Sequence, residues 1–460
     1  MEFTLNPDRE RMALTLVMGL LVNGRTVLED FVWASGSEEF ARALVEFGLV
    51  YEQHGHQLVL DGKGFQYPLP SMLPSGFSEG ENVLLWTLSS KDPEHVFTLA
   101  EEPDEAGVAK VAALKECLLK YFKLNIEEDA PAKFVFRFAA DEPALKKDSL
   151  GNVPFVMRNR LLLRALVRGE YLSFEERSTI HDQWTKMLMY FGVPLRYEGR
   201  GMEQLSEFER RLMIAQGKKI ERTQFTELSE TRVITGREYY VPGDTTEATA
   251  FALLATIGNM PKDNMVRLMN VDLNSTRAGA LTCLKRMGAN IETVTRREKF
   301  GDVYGDVEIY PLAAGKRLQG RRFGEDAIAT ALDEYALLAV AACYAEGETI
   351  LRVPKEYRKE MRAKNEFLAE NLRKTGVEVG VYDDGLVIRG METVVNGSDF
   401  DGGDSAQAGL ALSVLSHALQ IDEPVANIEG VERVFPGVVE KLKQVLVAEA
   451  PANSANNSAD

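Results

Sequence analysis

Cysteine is scarce in this sequence of 460 residues, which contains only Cys117, Cys283 and Cys343. The three lie far apart, with neither the close spacing of metal ligands nor a pattern that suggests a disulfide framework. Each falls on the apolar side of a predicted helix, so we expect small core residues in a reducing compartment. The cysteines therefore predict neither a metal centre nor a covalent scaffold.

Positive charge is also in short supply, since 53 Lys and Arg residues stand against 70 Asp and Glu residues, for a net charge of −17. A general nucleic-acid-binding protein needs a basic surface, which this composition lacks overall. An acidic protein can still bind phosphates through local clusters of Arg and Lys. We therefore expect small anionic ligands and no nucleic-acid partner.

Long apolar runs are missing as well. The longest, residues 336–345, is far shorter than the ~20 residues that cross a bilayer. The segment 1–11 lacks the basic and apolar regions of a signal peptide. We therefore expect a cytoplasmic protein without membrane association. The end of the chain has no bulky apolar side chains, and we expect residues 449–460 to form a disordered tail.

What the sequence does contain is a pattern that recurs six times. Each copy begins with an apolar helix-like run, continues through a β-rich stretch and an amphipathic helix, and ends in a further strand. The apolar runs begin near Ala13, Val83, Leu161, Ala248, Ala336 and Ala408. Their spacing of about 70–90 residues is too long for a solenoid repeat. Each copy is therefore predicted to be a βαβαβ-type unit.

Six such units predict an α/β protein of two similar domains, each made of three repeats. With 45% hydrophobic residues the chain can bury more than one core. A strand-like segment followed by Pro-Gly marks the divide near residues 234–244. We expect an N-terminal domain at 12–237 and a C-terminal domain made of 1–11 and 238–448.

Several segments of the second half resemble the enolpyruvyl transferases, and most closely the 3-phosphoshikimate 1-carboxyvinyltransferases (EPSP synthases). The matching segments are ValProGlyAsp at 241–244, SerThrArgAlaGly at 275–279, LysArgMetGlyAla at 285–289, the run 332–349, AspAspGlyLeuValIle at 383–388 and ValPheProGly at 434–437. The resemblance implies the inside-out α/β barrel of this family, with the active site between two domains. It also implies transfer of the enolpyruvyl group of phosphoenolpyruvate to the hydroxyl of shikimate 3-phosphate by a monomer that needs no cofactor or metal.

This transfer requires cations that hold two phosphates and a carboxylate, an acid that protonates the methylene carbon, and a base that takes the hydroxyl proton. The resemblance assigns Asp333 to the base. Asp333 could also be a helix N-cap, and Glu334 is expected to interact with the helix dipole. Glu360 aligns with the lysine of the family's Lys-Glu-Ser-Asp-Arg motif in the fifth repeat, although a shift of one residue would put Lys359 there. The predicted catalytic residues are therefore Asp333 and Glu360.

The remaining predicted residues are cations that the resemblance implies for substrate binding. They are Arg9, Arg11, Arg158, Arg160, Lys359, Lys364 and Arg433. In an ungapped alignment Glu10 stands where the family has a lysine near the start of the chain. Arg433 stands where the family has its final lysine. Arg9, Arg11, Arg158 and Arg160 could also be ordinary solvated surface charges.

The phosphate-holding positions depart most from the family pattern. The segment 75–82 replaces the turn that positions phosphoenolpyruvate, and its residues Glu79 and Glu81 would repel an anion. Losing one well-placed donor or cation typically raises a barrier by ~2–4 kcal/mol. Two alternatives therefore stay open: a catalytically silent relative that binds or regulates, and a transferase that acts on another hydroxyl acceptor.

Overall fold

The computed structural model describes residues 1–74, 76–92, 95–99, 112, 126–130, 133–137, 155–177, 181–200, 223–229, 233–258, 260–261, 264–394, 399–421 and 425–446. The tail predicted at 449–460 and Cys117 lie outside the described residues. Cys283 and Cys343 are buried and free. Burial raises the pKa of each thiol to about 12, so both are protonated at neutral pH and act as apolar core residues.

Helices and strands are interspersed along the described chain. The α-helices are Arg9–Leu21, Ser37–Val45, Glu79–Ser89, Phe155–Arg168, Gln183–Tyr190, Thr245–Ile257, Gly279–Met287, Glu325–Ala329, Tyr335–Cys343, Arg358–Arg373, Ala406–Ala418, Glu429–Val434 and Val438–Val445. The strands are Glu2–Thr4, Asn23–Leu28, Val50–His54, Gln57–Lys63, Met72–Leu73, Val96–Leu99, Ile126–Ala130, Lys133–Arg137, Leu172–Arg177, Leu195–Arg200, Thr223–Leu228, Glu238–Tyr239, Val266–Asp272, Asn290–Thr293, Arg297–Lys299, Asp302–Tyr310, Leu318–Gln319, Arg322–Phe323, Ala345–Glu346, Glu348–Arg352, Glu378–Tyr382 and Gly385–Arg389.

The chain divides into two compact units. The N-terminal unit consists of Pro7–Val241 and Glu298–Asp302, and the C-terminal unit consists of Met1–Asn6, Pro242–Arg297 and Val303–Asp460. The short piece Glu298–Asp302 has no counterpart in the sequence-based prediction. No local pattern marks it, because its membership in the N-terminal unit depends on packing alone.

Side-chain packing explains why Glu298–Asp302 belongs to the N-terminal unit. The centroid of the Phe300 ring lies 6.0 Å from the ring centroids of Tyr190 and Tyr239. Asp302 forms a buried ion pair with Arg11, with 2.7 Å between the Asp302 Oδ2 and Arg11 Nη1 atoms. An aromatic contact and a buried ion pair therefore anchor five residues in this unit.

The first repeat shows how each unit is built. The helix Arg9–Leu21 is buried from Arg11 to its end, as expected for a helix that is apolar on all sides. The strand Gln57–Lys63 pairs antiparallel with Asn23–Leu28 and Val50–His54. The same order of a parallel edge strand and three antiparallel strands recurs in the C-terminal unit, where Glu348–Arg352 lies between Arg322–Phe323 and Gly385–Arg389.

The three apolar helices of the C-terminal unit form the centre of its core. Thr245–Ile257, Tyr335–Cys343 and Ala406–Ala418 pack on one another. All residues of Tyr335–Cys343 are buried, and small side chains such as alanine let the helices approach closely. Asp333 lies just before one of these helices, so its backbone is attached directly to this core.

Replacing Gly62 with alanine is expected to destabilise the N-terminal unit by about 1–3 kcal/mol. A Cβ atom at Gly62 would lie 2.3 Å from the carbonyl oxygens of Gly19 and Val22, and these backbone atoms cannot move aside without disturbing the helix Arg9–Leu21. Urea denaturation followed by tryptophan fluorescence measures the effect, since Trp33, Trp86 and Trp184 all lie in this unit.

Gly76→Ala is the matched control for this substitution. A Cβ atom at Gly76 has no atom within 4 Å, and the residue belongs to the same unit. We expect Gly76→Ala to unfold at nearly the parent's urea concentration. Equal stability of the two variants would contradict the proposed close packing of strand and helix.

Candidate functional site

Asp333 lies immediately before the N-cap of a core helix. The helix Tyr335–Cys343 has Glu334 at its N-cap position, and the side chain of Glu334 makes no capping hydrogen bond. Asp333 is therefore outside the cap position that the sequence alone also allowed for it. Its side chain is 35% exposed, so its carboxylate can meet a ligand.

Arg277 connects Asp333 to a buried network. The Nη2 atom of Arg277 lies 3.6 Å from the Oδ2 atom of Asp333. Its Nη1 atom donates a hydrogen bond to Glu334, and its Nη2 atom donates one to the Thr246 hydroxyl at 2.9 Å. Because Arg277 is only 5% exposed, it holds the Asp333 carboxylate from the protein side and leaves the opposite side to solvent.

Glu334 is fully buried in this network, so it is more than the helix-dipole partner expected from the sequence. It accepts hydrogen bonds from Arg277 and, at 2.6 Å, from Thr246. Burial raises the pKa of Glu334, while the Arg277 guanidinium opposes the change. The sequence already contained a signal for this arrangement, because Thr246 and Arg277 lie in or beside the family-like segments 241–244 and 275–279.

The other predicted residues of the C-terminal unit lie on exposed surfaces. Glu360 and Lys364 form an ion pair at 2.7 Å on the helix Arg358–Arg373, and both are more than half exposed. Lys359 on the same helix and Arg433 near the end of Glu429–Val434 are also exposed. Among the described residues, no ion pair or hydrogen bond joins Glu360 or Lys364 to Asp333. In the described part of the chain, Glu360 and Lys364 therefore form an ion pair with each other but not with Asp333.

In the N-terminal unit, Arg9 pairs with Glu81. The Nε and Nη2 atoms of Arg9 donate to the two carboxylate oxygens of Glu81 at 3.2 and 2.8 Å. Glu81 also completes a capping box with Ser78 at the start of the helix Glu79–Ser89. Glu81, which was expected to repel an anion, thus neutralises the charge of Arg9, which was expected to bind one.

Arg160 is held in the same way by Glu10. Both terminal nitrogens of Arg160 donate to the Glu10 carboxylate, and its Nε and Nη2 atoms also donate to the carbonyl oxygen of Gly80. The Arg160 side chain is fully buried, whereas that of Glu10 is 34% exposed. A ligand can therefore reach this guanidinium only if these contacts change.

Arg11 and Arg158 are buried as well. Arg11 forms the ion pair with Asp302 described above. Arg158 donates hydrogen bonds to Asn159 and Thr185 and lies over the ring of Phe174. The substrate contacts expected for Arg11, Arg158 and Arg160 stay predictions, and in this structure all three side chains are used inside the N-terminal unit.

A family model described as EPSP synthase (3-phosphoshikimate 1-carboxyvinyltransferase) matches residues 207–442, which is more than half of the chain. The chain belongs to the EPSP synthase family. The resemblance inferred from the sequence motifs is therefore confirmed, and so is the predicted membership in a family of transferases.

Curated relatives of this EPSP synthase family member match it along almost its full length. The 3-phosphoshikimate 1-carboxyvinyltransferase of Bacillus velezensis is 24% identical over 455 residues, which cover 96% of each chain. The corresponding protein of Petrotoga mobilis is 24% identical over 451 residues, again 96% of each chain. At this identity most individual side chains differ between this chain and its relatives.

Solved structures similar to this family member establish the fold. The EPSP synthase of Acinetobacter baumannii has a TM-score of 0.73 at 21% identity and covers 98% of this chain and 97% of its own. The enolpyruvyl transferase NikO of Streptomyces tendae has a TM-score of 0.61 at 15% identity, with 97% and 94% covered. The predicted α/β fold of the enolpyruvyl transferase type is confirmed. Within the described ranges, no helix is long and apolar enough to cross a membrane.

Proposed function

We propose that this protein transfers the enolpyruvyl group of phosphoenolpyruvate to the hydroxyl of shikimate 3-phosphate and releases inorganic phosphate. The observation that carries the proposal is the placement of Asp333, whose carboxylate is outside the helix cap, partly exposed and held by Arg277. The names of the full-length relatives support the choice of substrates. We also propose that the protein acts as a cytoplasmic monomer.

In the proposed reaction the hydroxyl oxygen of shikimate 3-phosphate attacks C2 of phosphoenolpyruvate, and Asp333 accepts the proton of this hydroxyl. A general acid delivers a proton to the methylene carbon of phosphoenolpyruvate, and in the second step a base removes a proton from this carbon as the bond between C2 and the phosphate oxygen breaks, so that the enol ether forms and inorganic phosphate leaves. The buried Arg277 guanidinium lies 3.6 Å from the Asp333 carboxylate and attracts it from the protein side, so the exposed side of the carboxylate is left to accept the hydroxyl proton, as general-base catalysis requires. Arg277 is a positioning residue in this scheme.

Exposed cations of the C-terminal unit are the proposed partners for the anionic groups of the substrates. Lys359, Lys364 and Arg433 all reach solvent, and the surface ion pair of Lys364 with Glu360 is weak enough, at about 0.3–0.5 kcal/mol, to exchange for a substrate contact. In the N-terminal unit, Arg9 retains 20% exposure of its side chain.

The purified protein is expected to release phosphate from phosphoenolpyruvate only when shikimate 3-phosphate is present. A coupled phosphate assay at high enzyme concentration measures this, with reactions lacking the acceptor as the control. Release with a UDP-amino sugar in place of shikimate 3-phosphate would instead indicate the transferase for another acceptor. No release above the enzyme-free blank with either acceptor would contradict an enzymatic function.

A catalytically silent relative that binds or regulates is the second candidate. The observation that favours it is the internal pairing of Arg9 with Glu81, Arg160 with Glu10 and Arg11 with Asp302. These pairs use cations that the resemblance assigns to substrate. Absence of turnover together with measurable binding of phosphoenolpyruvate, followed by calorimetry, would support this candidate over the transferase.

A further inference from the structure

Four charged residues from three helices of the N-terminal unit form two ion pairs, beside the first turns of two of these helices. Arg9 and Glu10 start the first apolar helix, Glu81 lies in the first turn of the second, and Arg160 lies in the second turn of the third, Phe155–Arg168. We call these four residues the paired cluster. Helix N-termini and guanidinium groups both favour negative charge, so this position suits an anion.

Each arginine of the paired cluster already binds a carboxylate through two nitrogens. Arg9 reaches both oxygens of Glu81, and Arg160 reaches both oxygens of Glu10. A guanidinium binds the phosphate or carboxylate of a ligand with the same two-bond geometry. Glu81 is 3% exposed and Arg160 is fully buried, so solvent screens these contacts only weakly.

We propose that Glu10 and Glu81 are internal competitors for anionic ligands: their carboxylates occupy the guanidinium groups of Arg160 and Arg9 and keep the affinity of the paired cluster for phosphate low. The ligand class is a phosphate or carboxylate group of a small molecule. The choice of this ligand class rests on the proposed function. The competition itself does not, because its test measures phosphate binding and not turnover.

Charge balance explains how the competition works. Two arginines and two glutamates give the paired cluster no net charge. To bind one of these arginines, a phosphate would have to break its two charge-assisted hydrogen bonds to the glutamate. The displaced carboxylate would then lie beside the negatively charged phosphate and repel it. A repulsive group of this kind discriminates against one class of ligand without affecting others.

Neutral variants of the two glutamates test the proposal. Glu81→Gln removes the charge but keeps the capping box, because glutamine serves at this position as glutamate does. Glu10→Gln is a second route that leaves its helix cap intact, since Asp8 caps that helix through the backbone N–H of Arg11 at 2.8 Å. Titration calorimetry with inorganic phosphate at low ionic strength should show at least about tenfold tighter binding for each variant than for the parent.

Glu38→Gln is the matched control. It makes the same change of charge in the same unit and releases Arg42 from an exposed ion pair at 2.6 Å, so it reports the general effect of one carboxylate fewer. Arg9→Gln added to Glu81→Gln should return phosphate affinity to the parent's level, because it removes the guanidinium that binds.

Two results would overturn the proposal. One is that a folded Glu81→Gln or Glu10→Gln protein, checked by circular dichroism, binds phosphate no more tightly than Glu38→Gln. The other is that the parent already binds phosphate as tightly as these variants do. Turnover of the parent is a separate readout: tighter phosphate binding by the variants with an inactive parent would contradict the proposed function and leave the internal competition standing.

Discussion

Asp333→Asn is expected to lower the rate of phosphate release by ~10²–10⁴-fold, the usual contribution of a general base. Asparagine has nearly the same shape as aspartate but cannot accept the hydroxyl proton. Stability should hardly change, because Asp333 lies outside the N-cap position of the helix and its contact with Arg277 is a partly exposed pair at 3.6 Å, which contributes little to stability. The coupled phosphate assay and a thermal melt of the same preparation measure both effects.

Asp383→Asn is the matched control for this prediction. Asp383 belongs to the same unit, and its side chain is 93% exposed, so the substitution repeats the chemical change at a surface site. We expect this control to retain the parent's rate and melting temperature. Retained activity of Asp333→Asn per folded molecule, with a lowered melting temperature, would assign Asp333 to structure instead of catalysis.

Glu334→Ala is expected to destabilise the C-terminal unit by about 3–5 kcal/mol. Glu334 is fully buried and Arg277 is 5% exposed, so removing the carboxylate leaves a guanidinium with a buried charge that has lost its closest partner. The Thr246 hydroxyl loses its acceptor in the same step. The expected loss of stability is far larger than the contribution of an exposed ion pair on the surface of this protein.

Spectroscopy can separate the two units in this experiment. All three tryptophans belong to the N-terminal unit, so their fluorescence follows that unit, while far-UV circular dichroism follows the helices of both. We expect Glu334→Ala to shift the dichroism transition to lower urea and the tryptophan transition much less. Glu360→Ala, which breaks the exposed pair with Lys364, should change stability by only ~0.3–0.5 kcal/mol. Equal effects of the two substitutions would contradict a buried Arg277–Glu334 network.

The prediction of the fold from sequence rested on patterns that are local. Apolar runs such as 336–345 predicted buried helices, and the helix Tyr335–Cys343 is buried throughout. Ala280, Leu281, Leu284 and Met287 recur at helical spacing in the sequence, and they are buried on the helix Gly279–Met287, which ends at Gly288 with a φ of 103°. Such signals depend on neighbours three or four positions apart, so they can be read without a structure.

The pairing of charges could not be predicted in this way. Arg9 is separated from Glu81 by 72 positions, and Arg160 is separated from Glu10 by 150. Nothing in either local sequence distinguishes an arginine that faces solvent from one that faces a carboxylate. The capping box at Ser78 and Glu81 is a local pattern, yet it does not show that the same carboxylate also binds Arg9.

The sequence by itself determined the repeats, the two-part α/β organisation of this family member and the position of Asp333 beside a core helix, because hydrophobic periodicity and turn residues act over a few positions. Only the tertiary structure decided which charges meet. The partners of Arg9, Arg160, Arg277 and Arg11 come from distant segments that approach when apolar helices pack together, and their electrostatic energy depends on the burial that this packing creates.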